Sequence, residues 1–275
     1  MLDRHMQLHP DNGDFVWTPP AGPFRFLNAD QVRAYSEAGG FVLEDVFDAA
    51  EIKALMAAID PLEAEAEAAL EQAESGAIGI ARAGEITFSP HLVARSAVLK
   101  AFSRHPVFQG LVRDLIGPDV RLYWDQLVYK KPGTPAEFPW HQDNGYTFVT
   151  PQQYLTCWVA LTDATVENGC PWIVPGAHRQ GTLLHRWTDL GFQCLDEPTD
   201  ARPLEVPAGS IAVFSSLTPH RTGPNLTGST RKAYILQYAP DGAVMHPREG
   251  PSRAAEDPNW QYSILIGGAA VEETV

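Results

Sequence analysis

Apolar positions follow two rhythms along the chain. Over the first 116 residues they recur at helical spacing. From Gly117 to about residue 240 they fall in short runs rich in β-branched and aromatic residues, punctuated by Gly and Pro. In the first part, Asn28 is placed to cap a helix over about 29–38, which Gly39-Gly40 would stop. Residues 41–43 read as a short strand. Asp48 is placed to cap a long Ala- and Glu-rich helix over about 49–75, with Pro61 positioned to break it. Residues 76–92 fit neither period, and 93–104 and 106–116 return to helical spacing.

In the second part, strands are expected at 120–130, 154–162, 172–174, 204–206, 210–214 and 232–238, with a last strand or packing segment at 260–266. The helices precede the strands instead of alternating with them, which disfavours a parallel α/β sheet. Many short strands between turn signals predict an antiparallel sandwich or barrel. The expected class is therefore mainly β with N-terminal α-helices. With no internal repeat and no low-complexity linker, the chain reads as one domain over 1–275: an irregular lead-in at 1–26, a mostly helical part at 27–116, a β core at 117–240 and a C-terminal segment at 241–275 with a loose tail.

Composition narrows the function. The 275 residues are 44% hydrophobic and 20% charged, enough to bury a large core, and the net charge of −14 argues against nucleic acid or anionic membranes as partners. The three Cys are widely spaced, without a C-x-x-C pair, so a reducing, cytoplasmic setting is expected. Met1 to Phe15 carries no apolar core of a signal peptide, and no run of about 18 apolar residues is present.

Candidate chemistry starts at Trp140-His141-Gln142-Asp143-Asn144-Gly145-Tyr146. On a strand, His141 and Asp143 would share a face with Cβ atoms roughly 6–7 Å apart, close enough to grip one metal ion. A third ligand must come from elsewhere, and His220 is the best candidate. Two His and one carboxylate on one face of an octahedral ion match the facial triad of non-haem Fe(II) oxygenases. The stretch from His220 to Arg231 is turn-forming in its middle, at Gly223, Pro224, Asn225 and Gly228. Closed as a hairpin between Asn225 and Leu226, it would place His220 opposite Arg231, with Thr222 on the same face. A ligand His beside a guanidinium and a hydroxyl suits a dicarboxylate cosubstrate such as 2-oxoglutarate. One end would chelate iron and the other would meet the guanidinium fork.

The stretch Asp125-Gln126-Leu127-Val128-Tyr129-Lys130-Lys131-Pro132-Gly133, then Pro139-Trp140-His141-Gln142-Asp143, resembles the phytanoyl-CoA dioxygenase family. So do Trp158-Val159-Ala160-Leu161-Thr162-Asp163, Glu167-Asn168-Gly169-Cys170, Val174-Pro175-Gly176-Ala177-His178, Pro219-His220 and Arg231. The resemblance covers roughly residues 28–240. It implies a double-stranded β-helix (jelly-roll, cupin-like) core, Fe(II), and consumption of 2-oxoglutarate and O2 with release of succinate and CO2. By the same resemblance His141, Asp143 and His220 hold iron, and Arg231 with Thr222 takes the 2-oxoglutarate carboxylate. Trp158 and Gln126 match positions near the cosubstrate, and Tyr146 one near the pocket. His178 reads as structural. Asp143 keeps the third ligand position filled, which disfavours halogenation.

Phe148, and Trp187 and Phe192 in the insert at 178–203, are further candidate substrate contacts. Between Thr134 and Asp200 stand eight acidic residues, two basic ones and nine aromatics. That balance predicts a small or medium-sized, largely apolar substrate, neutral or cationic, and not a coenzyme A thioester. Two other functions fit a jelly roll: a non-oxidative cupin-like metal enzyme such as an isomerase or epimerase, and a binding module without catalysis.

Overall fold

The computed structural model describes residues 6–271, so the first residues of the lead-in, His5 among them, and the last of the tail lie outside the described residues. The first helix forms where a capping box sets it. The Asn28 side chain accepts from the Gln31 N–H at 2.9 Å, and the Gln31 side chain accepts from the Asn28 N–H at 3.0 Å. It runs Ala29–Ala38 and ends at Gly39, whose φ of 88° is the left-handed cap conformation. A Cβ there would also lie 2.6 Å from the His178 ring, so glycine is required on two counts.

Asp48 and Glu51 form a second capping box, and the helix they start runs Ala49–Gln72 without a break. Pro61 lies inside it. The expected interruption does not occur because Pro61 and Ala57, whose carbonyl loses its donor, both face solvent. Ala97–Phe102 and Pro106–Leu115 complete the helical layer, after a 3-10 turn at Leu92–Ala94.

Two facing antiparallel sheets form the double-stranded β-helix. The larger one runs in the order Gly40–Leu43, Ile211–Ser215, Leu155–Ala160, Arg231–Pro240, Val120–Lys130, Ile86–Pro90. The periodless region 76–92 supplies that last strand and two short ones, Ala77–Ile78 and Ala81–Arg82, at the sheet edge. The smaller sheet runs Arg202–Pro203, Pro171–Ile173, His220–Thr222, Phe138–His141. The strand expected at 204–206 is displaced to Arg202–Pro203, with only a bridge between Ala164 and Val206 beyond it.

Period-two alternation sorts the larger sheet's side chains. Leu127, Tyr129, Val159, Val213, Tyr234 and Leu236 join Tyr35, Ile59, Leu99, Phe108 and Leu111 from the helices in one core. The intervening positions point between the sheets, where Trp158, Ala160, Ala212, Phe214 and Ala233 pack against Cys170 and Val206.

One sequence expectation needs correction. His220 and Arg231 do not face each other across a hairpin. His220–Thr222 belongs to the smaller sheet and Arg231–Pro240 to the larger, so the segment between them crosses from one sheet to the other. Turn residues mark where a chain reverses, but not which sheet it rejoins. The lead-in, though irregular, is tied down: the His9 N–H donates to the Thr182 carbonyl at 2.8 Å, and the Asn12 carboxamide accepts from the Thr182 N–H. No helix among the described residues is long and apolar enough to cross a membrane.

Candidate metal centre

His141 ends the strand Phe138–His141, and its register partner on the neighbouring strand is His220. Opposed residues share a face, so the two imidazoles meet with ring centroids 4.1 Å apart. Asp143 is not on the strand, as the sequence had suggested. It opens a 3-10 turn, Asp143–Gly145. Gln142 is still extended, so the i, i+2 relation survives and Asp143 rejoins the face of His141. Gln142 points the other way. It donates to the carbonyls of Gly181 and Leu217 and accepts from the Leu183 N–H. Its own N–H donates to His185 Nε2 at 2.9 Å. A Cβ at Gly145 would lie only 2.1–2.3 Å from atoms of the His185 ring, so glycine keeps the turn tight against this scaffold.

Ligand atoms of His141, Asp143 and His220 all lie within 4.8 Å of one another, and His220 Nε2 is 3.8 Å from Asp143 Oδ1. Each imidazole is oriented from behind. His141 Nδ1 lies 2.8 Å from the Pro139 carbonyl and His220 Nδ1 lies 2.9 Å from the Thr218 carbonyl. Donating Nδ1–H to those oxygens leaves both Nε2 lone pairs aimed at the shared space. Asp143 Oδ2 accepts from the Thr156 hydroxyl at 2.5 Å, which leaves Oδ1 toward the His residues. Burial, reinforced by His220, holds His141 well below the usual imidazole range, so it stays neutral. Burial pushes the Asp143 carboxyl up, against His220 and hydrogen bonds from Thr156 and Gln237. A neutral imidazole and an under-compensated carboxylate, both desolvated, suit a cation.

Beyond the triad a cavity of about 290 Å³ opens between the sheets. Its larger-sheet wall is the inward face of three adjacent strands: Gln126, Val128, Thr156, Trp158, Ile235 and Gln237. Arg231 lies on that same face at the start of its strand and is fully buried. Its guanidinium stacks 5.2 Å over the Trp158 ring and reaches only the Val128 carbonyl, at 3.5 Å. Nε and Nη2 have no partner among the described residues. Orphaned buried donors on a fixed fork are what an incoming carboxylate would satisfy. The residues present therefore fit both a divalent metal and a dicarboxylate.

Most of the sequence-derived candidates meet here. Thr222, Trp158, Gln126 and Tyr146 all line the cavity. Gln126 accepts from the Trp124 indole at 3.1 Å, and the Tyr146 ring stands edge-on to His141 with centroids 5.4 Å apart. Two candidates are elsewhere. Phe148 belongs to a strand pairing with Val244–His246, and its ring stacks on His9 at 4.8 Å. Trp187 is 57% exposed, on a hairpin formed by Arg186–Thr188 and Gly191–Gln193. On that hairpin it is Phe192, its cross-strand partner, that packs on Tyr146. His178 is buried beside Trp17, with ring centroids 4.4 Å apart, away from the triad.

Sequence reasoning missed Thr156, Gln237 and Phe88. The first two were within reach. Thr156 is two residues before Trp158, Gln237 is six after Arg231, and strand alternation puts each on its neighbour's face. Phe88 lay in the stretch without a period.

Comparison with known proteins agrees with this geometry. The sequence model of the phytanoyl-CoA dioxygenase (PhyH) family matches residues 35–233. The chain is 35% identical over 145 residues to a phytanoyl-CoA dioxygenase of Arabidopsis thaliana, covering 50% of each chain. It therefore spans about half the length of that relative. To the ectoine dioxygenase of Bordetella parapertussis it is 31% identical over 239 residues, covering 77% of this chain and 75% of the relative. The fold is shared with the non-heme alpha ketoglutarate dependent carbocyclase SnoK from nogalamycin biosynthesis, with a TM-score of 0.69 at 22% identity, over 87% of this chain and 99% of that one. With a family match across most of its length, the chain belongs to the phytanoyl-CoA dioxygenase (PhyH) family.

Proposed function

We propose that this protein is an Fe(II)/2-oxoglutarate-dependent dioxygenase that hydroxylates a small or medium-sized, largely apolar molecule, neutral or cationic and not a coenzyme A thioester. One observation carries the reading: His141, Asp143 and His220 converge at one end of a cavity whose wall includes Trp158, and the buried guanidinium of Arg231, its Nε and Nη2 without partners among the described residues, stacks on that ring. Iron, when bound, supplies the oxygen chemistry, with 2-oxoglutarate as the electron source. The chain supplies placement. Pro139 and Thr218 fix the imidazoles through their carbonyls, and Thr156 fixes the carboxylate. Arg231 and Thr222 receive the far end of the dicarboxylate, and Trp158 closes that end against water.

The cavity walls support the substrate class. Ile80, Phe88, Phe138, Tyr146 and Ile235 line it, and among the described residues Asp143 is its single acidic lining residue. Its volume, at the low end for ligand pockets, must take the cosubstrate as well. Two lysines precede the loop leading to the triad, and neither serves an anionic substrate. Lys131 pairs with Glu63 and Glu67 on the helical side, and Lys130 is buried against backbone carbonyls. Near Tyr146, the exposed Arg248 lies over the Phe192 ring, with its guanidinium 4.0 Å from the centroid. The polyphosphate of coenzyme A would meet few free cations here. The test is to offer a panel of acyl-CoA thioesters and a panel of uncharged hydrophobic metabolites, and to measure substrate-coupled succinate and hydroxylated product. Coupled turnover is expected within the second panel. Efficient turnover of a thioester, with none for free molecules, would overturn the substrate assignment.

A further inference from the structure

Lys130 is the last residue of Val120–Lys130 and the direct cross-strand partner of Arg231. The two side chains share a face, and both are essentially without solvent exposure, 1% and 0%. Buried cations are normally paired with carboxylates. Here the hydrogen-bond partners of Lys130 Nζ are the Gly223 carbonyl at 2.5 Å, the Ala136 carbonyl at 3.1 Å and the Thr222 hydroxyl at 3.5 Å. The charged groups bearing on it are Arg231 on the opposed strand and Arg221 on the smaller sheet, both cations. Arg221 is itself paired with Glu137. On the strand at Lys130's other side the register partner is Ile86. The Cys170 thiol, which bears on Arg231, is pushed up to about 12 by burial and stays neutral.

We propose that binding of 2-oxoglutarate draws one proton from solvent onto Lys130, so that affinity for the cosubstrate weakens as pH rises above neutrality. This rests on the function proposed above, which brings a carboxylate to Arg231 and Thr222. In its absence, burial and then the two arginines pull the Lys130 amine down to about 7. A neutral amine fits its surroundings. Two N–H groups donate to the two carbonyls, and the lone pair accepts from the Thr222 hydroxyl. A carboxylate arriving on the Arg231 fork reverses the local charge balance. Lys130 takes a proton from the buffer, and its third N–H donates to Thr222 Oγ1. The hydroxyl proton then turns to the carboxylate. One proton is consumed per cosubstrate: an N–H bond forms on Lys130, the buffer acid gives up the proton, and no other covalent bond changes.

The sign follows from linkage. The cosubstrate raises the amine's proton affinity. Well below pH 7 Lys130 is protonated in both states and no proton is taken up. Above pH 7 uptake approaches one proton, and apparent affinity falls by up to about tenfold per pH unit.

The test uses the full chain preloaded with Mn(II) and titrates 2-oxoglutarate calorimetrically in buffers of high and low ionisation enthalpy. Uptake should be close to one proton at pH 8.5 and under about 0.2 at pH 6.0. Lys130→Arg, which keeps its charge, and Lys130→Met, which has none, should both abolish uptake and flatten the pH dependence of affinity. Uptake under about 0.2 at pH 8.5 in the wild type, or undiminished uptake in either variant, overturns the proposal. The wild-type titration decides it even where neither variant folds. Failure of 2-oxoglutarate to bind at all overturns the proposed function and this inference with it. Binding without proton uptake overturns this inference alone.

Discussion

Replacing Arg231 with Met should leave the ligand-free protein as stable as the wild type, or more so, while removing its response to 2-oxoglutarate. Burial pulls the guanidinium from its usual 12.5 down to about 10. At about 1.4 kcal/mol per tenfold change in a protonation equilibrium, holding that charge inside the fold costs roughly 3 kcal/mol. Two interactions offset the cost. The stack on Trp158 contributes about 1–2 kcal/mol, and the 3.5 Å contact with the Val128 carbonyl is too long to add much. Methionine fills most of the same volume without a charge, so the balance favours the variant by about 1 kcal/mol. For a chain of this size that raises Tm by about 2–4 °C. With Mn(II) present and 2-oxoglutarate at a hundred times its Kd, the wild type should gain about 2.7 kcal/mol and the variant nothing. Thermal denaturation of both proteins, with and without 2-oxoglutarate, reads all four states. If the ligand-free variant melts more than about 5 °C below the wild type, or keeps the ligand-dependent rise, the buried guanidinium is a structural element and the reasoning fails.

Two further outcomes follow from the same geometry. Thr156→Val removes the hydroxyl that orients Asp143 and should weaken metal binding about 10–100-fold, with Thr156→Ser restoring it; a purely packing role would show Val as the milder change. Trp187→Ala, at a position 57% exposed and off the cavity wall, should change stability by less than about 0.5 kcal/mol and leave coupled succinate formation unchanged, whereas a large loss of coupling would return that residue to the substrate site.

The metal triplet was legible in the sequence because its geometry is local. One extended residue, Gln142, separates the two ligands, so their shared face holds whether or not Asp143 lies on a strand. The first helix was legible because its capping box and its terminal glycine are local as well. The route from His220 to Arg231 was not. Its turn residues fit a hairpin and a crossover equally, and the choice is made by which strands already occupy the neighbouring sheet positions. Arg231 still comes to lie on the inward face, stacked on the cavity-lining Trp158, because a sandwich core lies between both sheets and inward residues of either sheet converge. Phe148 and Trp187 show the converse. Nearness in sequence to the triad, or a place in an insert, gives no direction, and both side chains turn elsewhere. The region 76–92 was opaque because its strands are two to five residues long, too short to establish a period.

The central claim is that His141, Asp143 and His220 hold iron beside a 2-oxoglutarate site completed by Arg231. Anaerobic addition of Fe(II) and then 2-oxoglutarate tests it directly, read as the weak visible charge-transfer band of 2-oxoglutarate chelated to Fe(II). The band should form with the wild type, require 2-oxoglutarate, and be lost in His141→Ala, Asp143→Ala and His220→Ala proteins that retain their fold by circular dichroism. A wild-type protein that binds Fe(II) but gives no band, or a triad variant that gives a band of undiminished intensity, would contradict the account.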